Sequence, residues 1–386
     1  MFEYSGLERT PAFVFSRGNC AAAAQTLRAA ADRLGARLLY STKACSLVDA
    51  LEIAWGYVNG FSVSSLFEAR LARQISGDAS HLHYVSGCVR LEDLEQLASL
   101  CNRITLNSLG ELERGSGWIA DRDVGVRCNP DVSFLDDARY DPCRSDSKLG
   151  VCAQDLVRAM DADPARFRHV RGLHVHSNCD SDDAGQLAKT VRAMIAVFGD
   201  RLRHFQWLNL GGGYTFSDER GVTALETELS HLRARNKLEI TVEPGAAMVR
   251  NAGSFVSTVQ DLIQSANSTI AILDLTVNHW PEVFEYQFEP EVSGHREGGA
   301  YEYILAGCSC LAGDLFGRYV FDRPLAVGSR IAFRSAGAYS IVKANMFNGI
   351  NLPSIYVLTE SGELVLRKEF SYEDFASRCG VEHALI

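Results

Sequence analysis

The chain has 386 residues, 47% hydrophobic and 22% charged, with 38 Lys+Arg against 48 Asp+Glu for a net charge of −10. At roughly 100–200 residues per domain this length holds two domains, and the apolar content excludes a disordered tail, a collagen and a low-complexity chain. The acidic balance repels phosphate backbones and anionic lipid, so neither a nucleic acid polymer nor a membrane is an expected partner.

In chain order, short β-rich runs at 37–42, 61–64, 82–85, 104–107, 123–128, 171–176, 206–210 and 239–243 alternate with helical periodicity. The helical segments include 46–55, 65–74, 91–100, 153–161, 183–198 and 222–234. Eight strands separated by helices predict parallel βαβ units closing as a (β/α)8 barrel over residues 20–250. After about residue 250 the texture changes to strand-like runs, FVSTVQDLI, TIAILDLTV, EYILAG, VGSRIAFRSA and IYVLTESGELVLRKEF. These predict a mostly-β domain over 251–386, grouped with residues 1–19. The N-terminal MFEYSGLERTPAF lacks the basic patch and apolar run of a signal peptide. No stretch reaches the roughly 18 uninterrupted apolar residues of a membrane span. Eleven cysteines, an odd number without CxxC pairs, predict free thiols in a reducing, cytoplasmic compartment and no metal site.

In a barrel of this kind the chemistry sits where the strands end at their C-terminal face. The first strand ends in Thr42-Lys43-Ala44. A lysine there is either a surface residue or an amine held in a pocket, where desolvation lowers its pKa for Schiff-base chemistry. The sixth strand ends in His174-Val175-His176-Ser177, and period-2 alternation puts both imidazoles on one side. They are either buried core histidines or rings that stack on a planar cofactor. The seventh ends in Asn209-Leu210-Gly211-Gly212-Gly213, whose backbone N–H groups carry no Cβ in the way of a phosphate. The eighth ends in Glu243-Pro244-Gly245, a carboxylate placed to pair with a cation in the pocket. A lysine, a ring, a glycine triplet and an acid together match the needs of pyridoxal 5′-phosphate (PLP).

The runs Tyr40-Ser-Thr-Lys43-Ala, Ser64-Ser-Leu-Phe-Glu68-Ala, Leu173-His-Val-His176, Leu208-Asn-Leu-Gly-Gly-Gly213, Glu243-Pro-Gly245, Cys310-Leu-Ala-Gly-Asp314 and Gly337-Ala-Tyr339 resemble those of the alanine-racemase-fold (fold type III) PLP-dependent decarboxylases. Within that group the short CLAGD segment and the stretch from Ile272 through Trp280-Pro-Glu-Val-Phe-Glu285 are similar to the carboxynorspermidine/carboxyspermidine decarboxylases. The resemblance implies that Lys43 carries the cofactor, His176 stacks on its ring and Glu243 pairs with its pyridine nitrogen. It also implies that Gly211, Gly212 and Gly213 hold the phosphate, with Tyr339 adding a hydroxyl. Cys310 would be the proton donor, with Lys43 as the second candidate. Asp314 and Glu282 would bind cationic nitrogens of the substrate, with Cys310 and Asp314 reaching the site from the partner of a homodimer. Cys179, Cys308 and the loop residues Arg144, Asp146 and Lys148 are read as packing or solvated residues.

Two departures bear on the substrate. The family's usual glutamate after Glu-Pro-Gly is Ala246 here, and its usual histidine after the glycine triplet is Tyr214. The expected activity is removal of the carboxylate from a small-molecule amino-acid head such as a 3-amino-3-carboxypropyl group. Ala246 leaves two tails open, a polyamine of polyamine biosynthesis or a non-polyamine tail handled by a tailoring enzyme of a peptide-nucleotide antibiotic. A racemase and a non-catalytic relative are less favoured, because Cys310 stands where a racemase needs a tyrosine and because Lys43, His176 and Glu243 are all present.

Overall fold

A computed structural model describes residue 4 and residues 6–381. The chain divides into two compact units, Ala21–Met248 and Met1–Cys20 with Val249–Ile386. The first strand, β1 (Ala12–Ser16), belongs to the second unit.

In the first unit the strands are β2 (Arg37–Ser41), β3 (Gly60–Val63), β4 (His81–Val85), β5 (Arg103–Leu106), β6 (Val124–Asn129), the two-residue β7 (Val151–Cys152), β8 (Val170–His174), β9 (Trp207–Asn209) and β10 (Glu239–Val242). Among the described residues eight of these, all but β7, form a closed parallel ring. β10 returns to β2 through Thr241↔Arg37 and Val242↔Leu38, and β5 meets β6 through Ile104↔Val124. The predicted barrel is therefore present, with each strand within two residues of its expected bounds. The strands are short and buried on both faces, because side chains fill the inside while helices cover the outside.

The outer helices carry their apolar residues at the matching period. Ala184–Phe198 buries Leu187, Ala188, Val191, Met194 and Phe198. It starts on Asp183, whose side chain accepts from Gly185 N, and stops at Gly199 with φ 53°. Asp218 caps Glu219–Arg235 and Ser65 caps Leu66–Ser76 in the same way.

Trp207 fills the inside of the barrel near the strands' N-terminal ends. Its indole Nε1 donates to Asp123 Oδ1 at 2.6 Å, and the Arg103 guanidinium lies 5.0 Å over its ring. The ring fits because its neighbours on β6 and β8 are Gly125 and Gly172, where a Cβ would lie 2.2 and 2.0 Å from ring atoms. Overpacking of a rigid aromatic costs about 1–3 kcal/mol. Gly172→Ala is therefore expected to lower the unfolding free energy of the cofactor-free protein, measured by urea denaturation, by an amount in that range.

Among the described residues the second unit holds an eight-stranded sheet. Its further strands are β11 (Gly253–Gln264), β12 (Thr269–Leu273), β13 (Tyr301–Ala306), β14 (Leu315–Phe321), β15 (Arg330–Phe333), β16 (Ser354–Leu358) and β17 (Leu364–Lys368). The order is β14-β13-β12-β11-β1-β16-β17, with β15 also on β11. β1 runs antiparallel to β11 and parallel to β16, and Leu7, Ala12, Val14, Val256, Ala332 and Tyr356 pack into one apolar cluster there. β14 has no counterpart among the predicted runs, because Gly317 at φ 136° and Arg318 interrupt its apolar pattern.

Candidate active site

The barrel strands end around a cavity of about 400 Å³ lined by Lys43, Arg127, His174, His176, Cys179 and Glu243, together with residues 139–142, 144 and 147–149 of the loop after β6. Lys43 follows β2 in a short turn, Thr42–Ala44. The turn is fixed from β3 and the helix after it: Glu68 Oε2 accepts from Thr42 Oγ1 at 2.8 Å and from Ser64 N at 2.7 Å. The lysine side chain lines the cavity and keeps solvent access. Its pKa is pushed down, first by the loss of water around the amine and then by the Arg127 guanidinium, with Glu243 opposing.

Glu243 ends β10 and is 5% exposed. Its Oε1 accepts from Asn209 Nδ2 at 2.6 Å, and its Oε2 lies 3.3 Å from His174 Nε2. Burial works to raise its pKa, but the hydrogen bonds from His174 and Asn209 outweigh it, so the carboxyl sits below its ordinary value. His83 and His174 are themselves held toward the neutral form, chiefly by burial. Among the described residues Glu243 is thus a buried carboxylate whose near partners are neutral imidazoles and an amide. A buried anion of this kind fits a ligand that brings its own cation, as a protonated pyridine nitrogen does.

His176, two residues beyond His174, faces the glycine triplet. Gly212 N donates to its Nδ1 at 3.1 Å, which leaves the ring proton on Nε2. Burial first, and then the cations Lys43 and Arg127, keep this ring neutral. The triplet itself allows three close approaches: a Cβ would lie 2.5 Å from Val175 O at Gly211, 2.2 Å from Glu243 O at Gly212 and 2.1 Å from Asn178 O at Gly213. Gly211 and Gly213 also have positive φ, 68° and 90°. Such a turn leaves room for a phosphate beside the backbone; Gly211 N and Gly212 N already donate to Asn209 Oδ1 and His176 Nδ1, so Gly213 N is the triplet donor to meet it. The donor set of the barrel mouth fits PLP.

The other predicted residues belong to the second unit. Cys310 is exposed in the loop between β13 and β14, with its N–H held by Asn348 Oδ1 at 2.8 Å. Asp314 is 3% exposed, and its carboxylate accepts from Val277 N at 2.8 Å and from Ser309 N at 3.0 Å. Glu282 lies 3.9 Å from Lys343 Nζ, which also pairs with Glu285. Tyr339 is half-buried with φ 53° in a tight turn after Gly337, where a Cβ would meet Val249 O at 1.8 Å.

Three readings of the sequence change. Arg144 and Lys148 line the cavity instead of a solvated face, while Asp146 is exposed and pairs with Arg144. Cys179 also lines it, its Sγ 3.5 Å from Tyr140 O. Arg127 and His83 went unnoticed, although a charge inside the apolar run VGVRCN was a usable signal for the first.

A family model for the pyridoxal binding domain of pyridoxal-dependent decarboxylases matches residues 20–250. The chain belongs to the pyridoxal-dependent decarboxylases. Carboxyaminopropylagmatine decarboxylase of Synechocystis sp. is 37% identical over 328 residues, covering 83% of this chain and 82% of the relative. Carboxynorspermidine/carboxyspermidine decarboxylase of Campylobacter jejuni is 29% identical, covering 96% of this chain and 98% of the relative. The crystal structure of the Campylobacter jejuni carboxynorspermidine decarboxylase complexed with norspermidine superposes with a TM-score of 0.86 at 27% identity, over 96% of this chain and all of that one. Diaminopimelate decarboxylase from Helicobacter pylori shares the fold, with a TM-score of 0.84 at 17% identity. The protein is accordingly a PLP-dependent decarboxylase with the predicted barrel-plus-β architecture. The relatives favour a polyamine-type tail over the antibiotic-tailoring alternative, and decarboxylation over racemisation.

Two measurements probe this decarboxylase's site. Gly212→Ala puts a Cβ into Glu243 O, so its PLP dissociation constant is expected to rise at least about tenfold, about 1.4 kcal/mol. Equilibrium titration of the cofactor-free protein measures it. Arg127→Met removes one of the causes that lower the Lys43 pKa. The amine must be neutral to attack a carbonyl, so a higher pKa leaves less of it reactive at pH 7. The pH midpoint for PLP attachment to the cofactor-free protein should move up.

Proposed function

We propose that this enzyme removes the carboxylate of a 3-amino-3-carboxypropyl head carried on a cationic polyamine or agmatine-type tail. The reading is carried by the buried Glu243 carboxylate facing the cavity that Lys43 and His176 share. It is supported by relatives named for carboxyaminopropylagmatine, carboxynorspermidine and carboxyspermidine. Lys43 would hold the cofactor through its amine. The turn of Gly211, Gly212 and Gly213 would make room for the phosphate, which the Gly213 N–H and the Tyr339 hydroxyl would contact, and His176 would cover the ring. Glu243 would pair with the pyridine nitrogen. PLP, when bound, supplies a sink for the electron pair left behind as CO2 departs.

The carbon that loses CO2 must gain a proton, and Cys310 is the donor in this reading, with Lys43 the second candidate. Cys310 and Asp314 come from the partner in a homodimer. Because the Asp314 carboxylate is engaged with Val277 N and Ser309, it acts first by holding the Cys310 loop in shape. Glu282 contributes negative charge toward the substrate's nitrogens, shared with Lys343. Among the described residues no helix is long and apolar enough to cross a membrane. Eleven free cysteines support a cytoplasmic setting.

Lys43, Arg127, Arg139, Arg144 and Lys148 line the cavity walls against two acids, Asp141 and Glu243. Asp141 is already taken by Ser133 Oγ at 2.6 Å and Cys143 N at 2.8 Å. Arg139 and Arg144 are in turn paired with Asp137 and Asp146, and the cofactor would take Lys43, so Arg127 and Lys148 are the lining cations that face the head carboxylate in this reading.

The direct test offers carboxyaminopropylagmatine, carboxynorspermidine and carboxyspermidine in turn and measures CO2. Turnover is expected with at least one and should vanish in Lys43→Ala, together with the absorbance near about 420 nm of covalently held PLP. A yellow protein that releases no CO2 from any of the three would overturn the substrate class.

A further inference from the structure

We propose that His83 is a positioning residue whose Nδ1 fixes the amide of Asn209, and that this one amide sets the spacing between the Glu243 carboxylate and the glycine loop. The inference rests on reading Glu243 and Gly211–Gly213 as the anchors of PLP.

Asn209, at the end of β9, is fully buried and makes three hydrogen bonds. Its Oδ1 accepts from Gly211 N at 2.9 Å, and its Nδ2 donates to Glu243 Oε1 at 2.6 Å. A backbone N–H and an ionised carboxylate leave no freedom over which end of the amide is oxygen. The second Nδ2 hydrogen is then directed at His83 Nδ1, 2.9 Å away, which must accept it. The ring proton therefore lies on Nε2, where Thr105 Oγ1 waits at 2.7 Å. Only one tautomer satisfies both contacts.

The chain of contacts runs Thr105, His83, Asn209 and then forks, one branch to the acid and the other to the first glycine. Thr105, His83 and Asn209 are all 0% exposed, so water cannot replace a lost partner cheaply. Trp207, edge-on at 5.1 Å, holds the imidazole in place. A ring with a proton on Nδ1 would oppose the amide hydrogen and free Asn209 to turn, releasing both anchors together. His83 touches neither anchor's hydrogen-bonding atoms within bonding distance; it stands 3.9 Å from Glu243 Oε1 and acts through the amide.

The experiment compares wild type, His83→Leu, His83→Gln and Glu243→Gln, each stripped of PLP and titrated back, with histidine-selective ¹⁵N NMR on the cofactor-free wild type. His83→Leu is expected to raise the PLP dissociation constant about tenfold and to lower kcat while leaving KM for the amine substrate unchanged. His83→Gln, whose side-chain carbonyl can accept from Asn209, should recover PLP affinity to within about threefold of wild type. The NMR should show Nε2 protonated and Nδ1 bare. If His83→Leu does not fold, Thr105→Val, which removes the Nε2 partner, is expected to weaken PLP in the same direction. Wild-type PLP affinity in His83→Leu or, failing that, in Thr105→Val, or a proton found on Nδ1, overturns the inference. Should Glu243→Gln also bind PLP as wild type does, it is the reading of the anchors that fails.

Discussion

A carboxylate buried among neutral partners governs this protein's barrel mouth. Removing an ionised carboxylate from water costs several kcal/mol unless hydrogen bonds and an opposite charge offset it. Glu243 receives the hydrogen bonds, from Asn209 and His174, and so stays ionised at 5% exposure. Within the barrel the opposite charge is supplied by no close ion-pair cation among the described residues; Lys43 and Arg127 act on Glu243 only at longer range. The fold therefore carries an electrostatic deficit that a cationic ring relieves, which couples cofactor binding to stability through mass action.

The backbone around that acid is arranged by what is missing from it. Three consecutive residues without Cβ let the ends of β8, β9 and β10 approach to distances no other side chain permits. Across the barrel seam Ser41 N donates to Pro244 O at 3.2 Å, so the strand that delivers Lys43 is tied to the strand that delivers Glu243. Gly245 serves the same seam, since a Cβ there would fall 2.9 Å from the Ala44 Cβ. Lysine and acid are far apart along the chain and adjacent in the ring because β10 closes on β2.

Much of this was legible in the sequence because the barrel repeats a local pattern. Each strand is a short apolar run bounded by a helix of 3.6 period, and the site residues follow the run directly, as in RLLYSTK and QWLNLGGG. What stayed hidden depends on contacts between distant strands. His83 reads as one more residue in HLHYV until β9 supplies Asn209 and β5 supplies Thr105. Arg144 and Lys148 look like an ordinary charged loop, and only the path of residues 130–150 over the strand ends turns them toward the cavity. Asp314 was singled out as a substrate ligand from its motif, yet the motif could not show that Val277 and Ser309 already use its oxygens.

Engagement by neighbours decides which charged groups a substrate can recruit. Of the cations in the barrel lining, Arg139 and Arg144 are paired with Asp137 and Asp146 and Lys43 is the amine the cofactor would take, while of its acids Asp141 is engaged by its own loop. The acids of the second unit singled out by sequence are also engaged, Asp314 with backbone amides and Glu282 with Lys343. The Glu282 pair is the weaker restraint: at 3.9 Å it is a loose contact, and Lys343 has a nearer partner in Glu285. A cationic nitrogen that displaces Lys343 from Glu282 leaves the lysine still paired with Glu285, whereas one that takes the Asp314 carboxylate strands the buried Val277 N–H and the part-buried Ser309 N–H. Physical cost thus makes Asp314 a fixed acid.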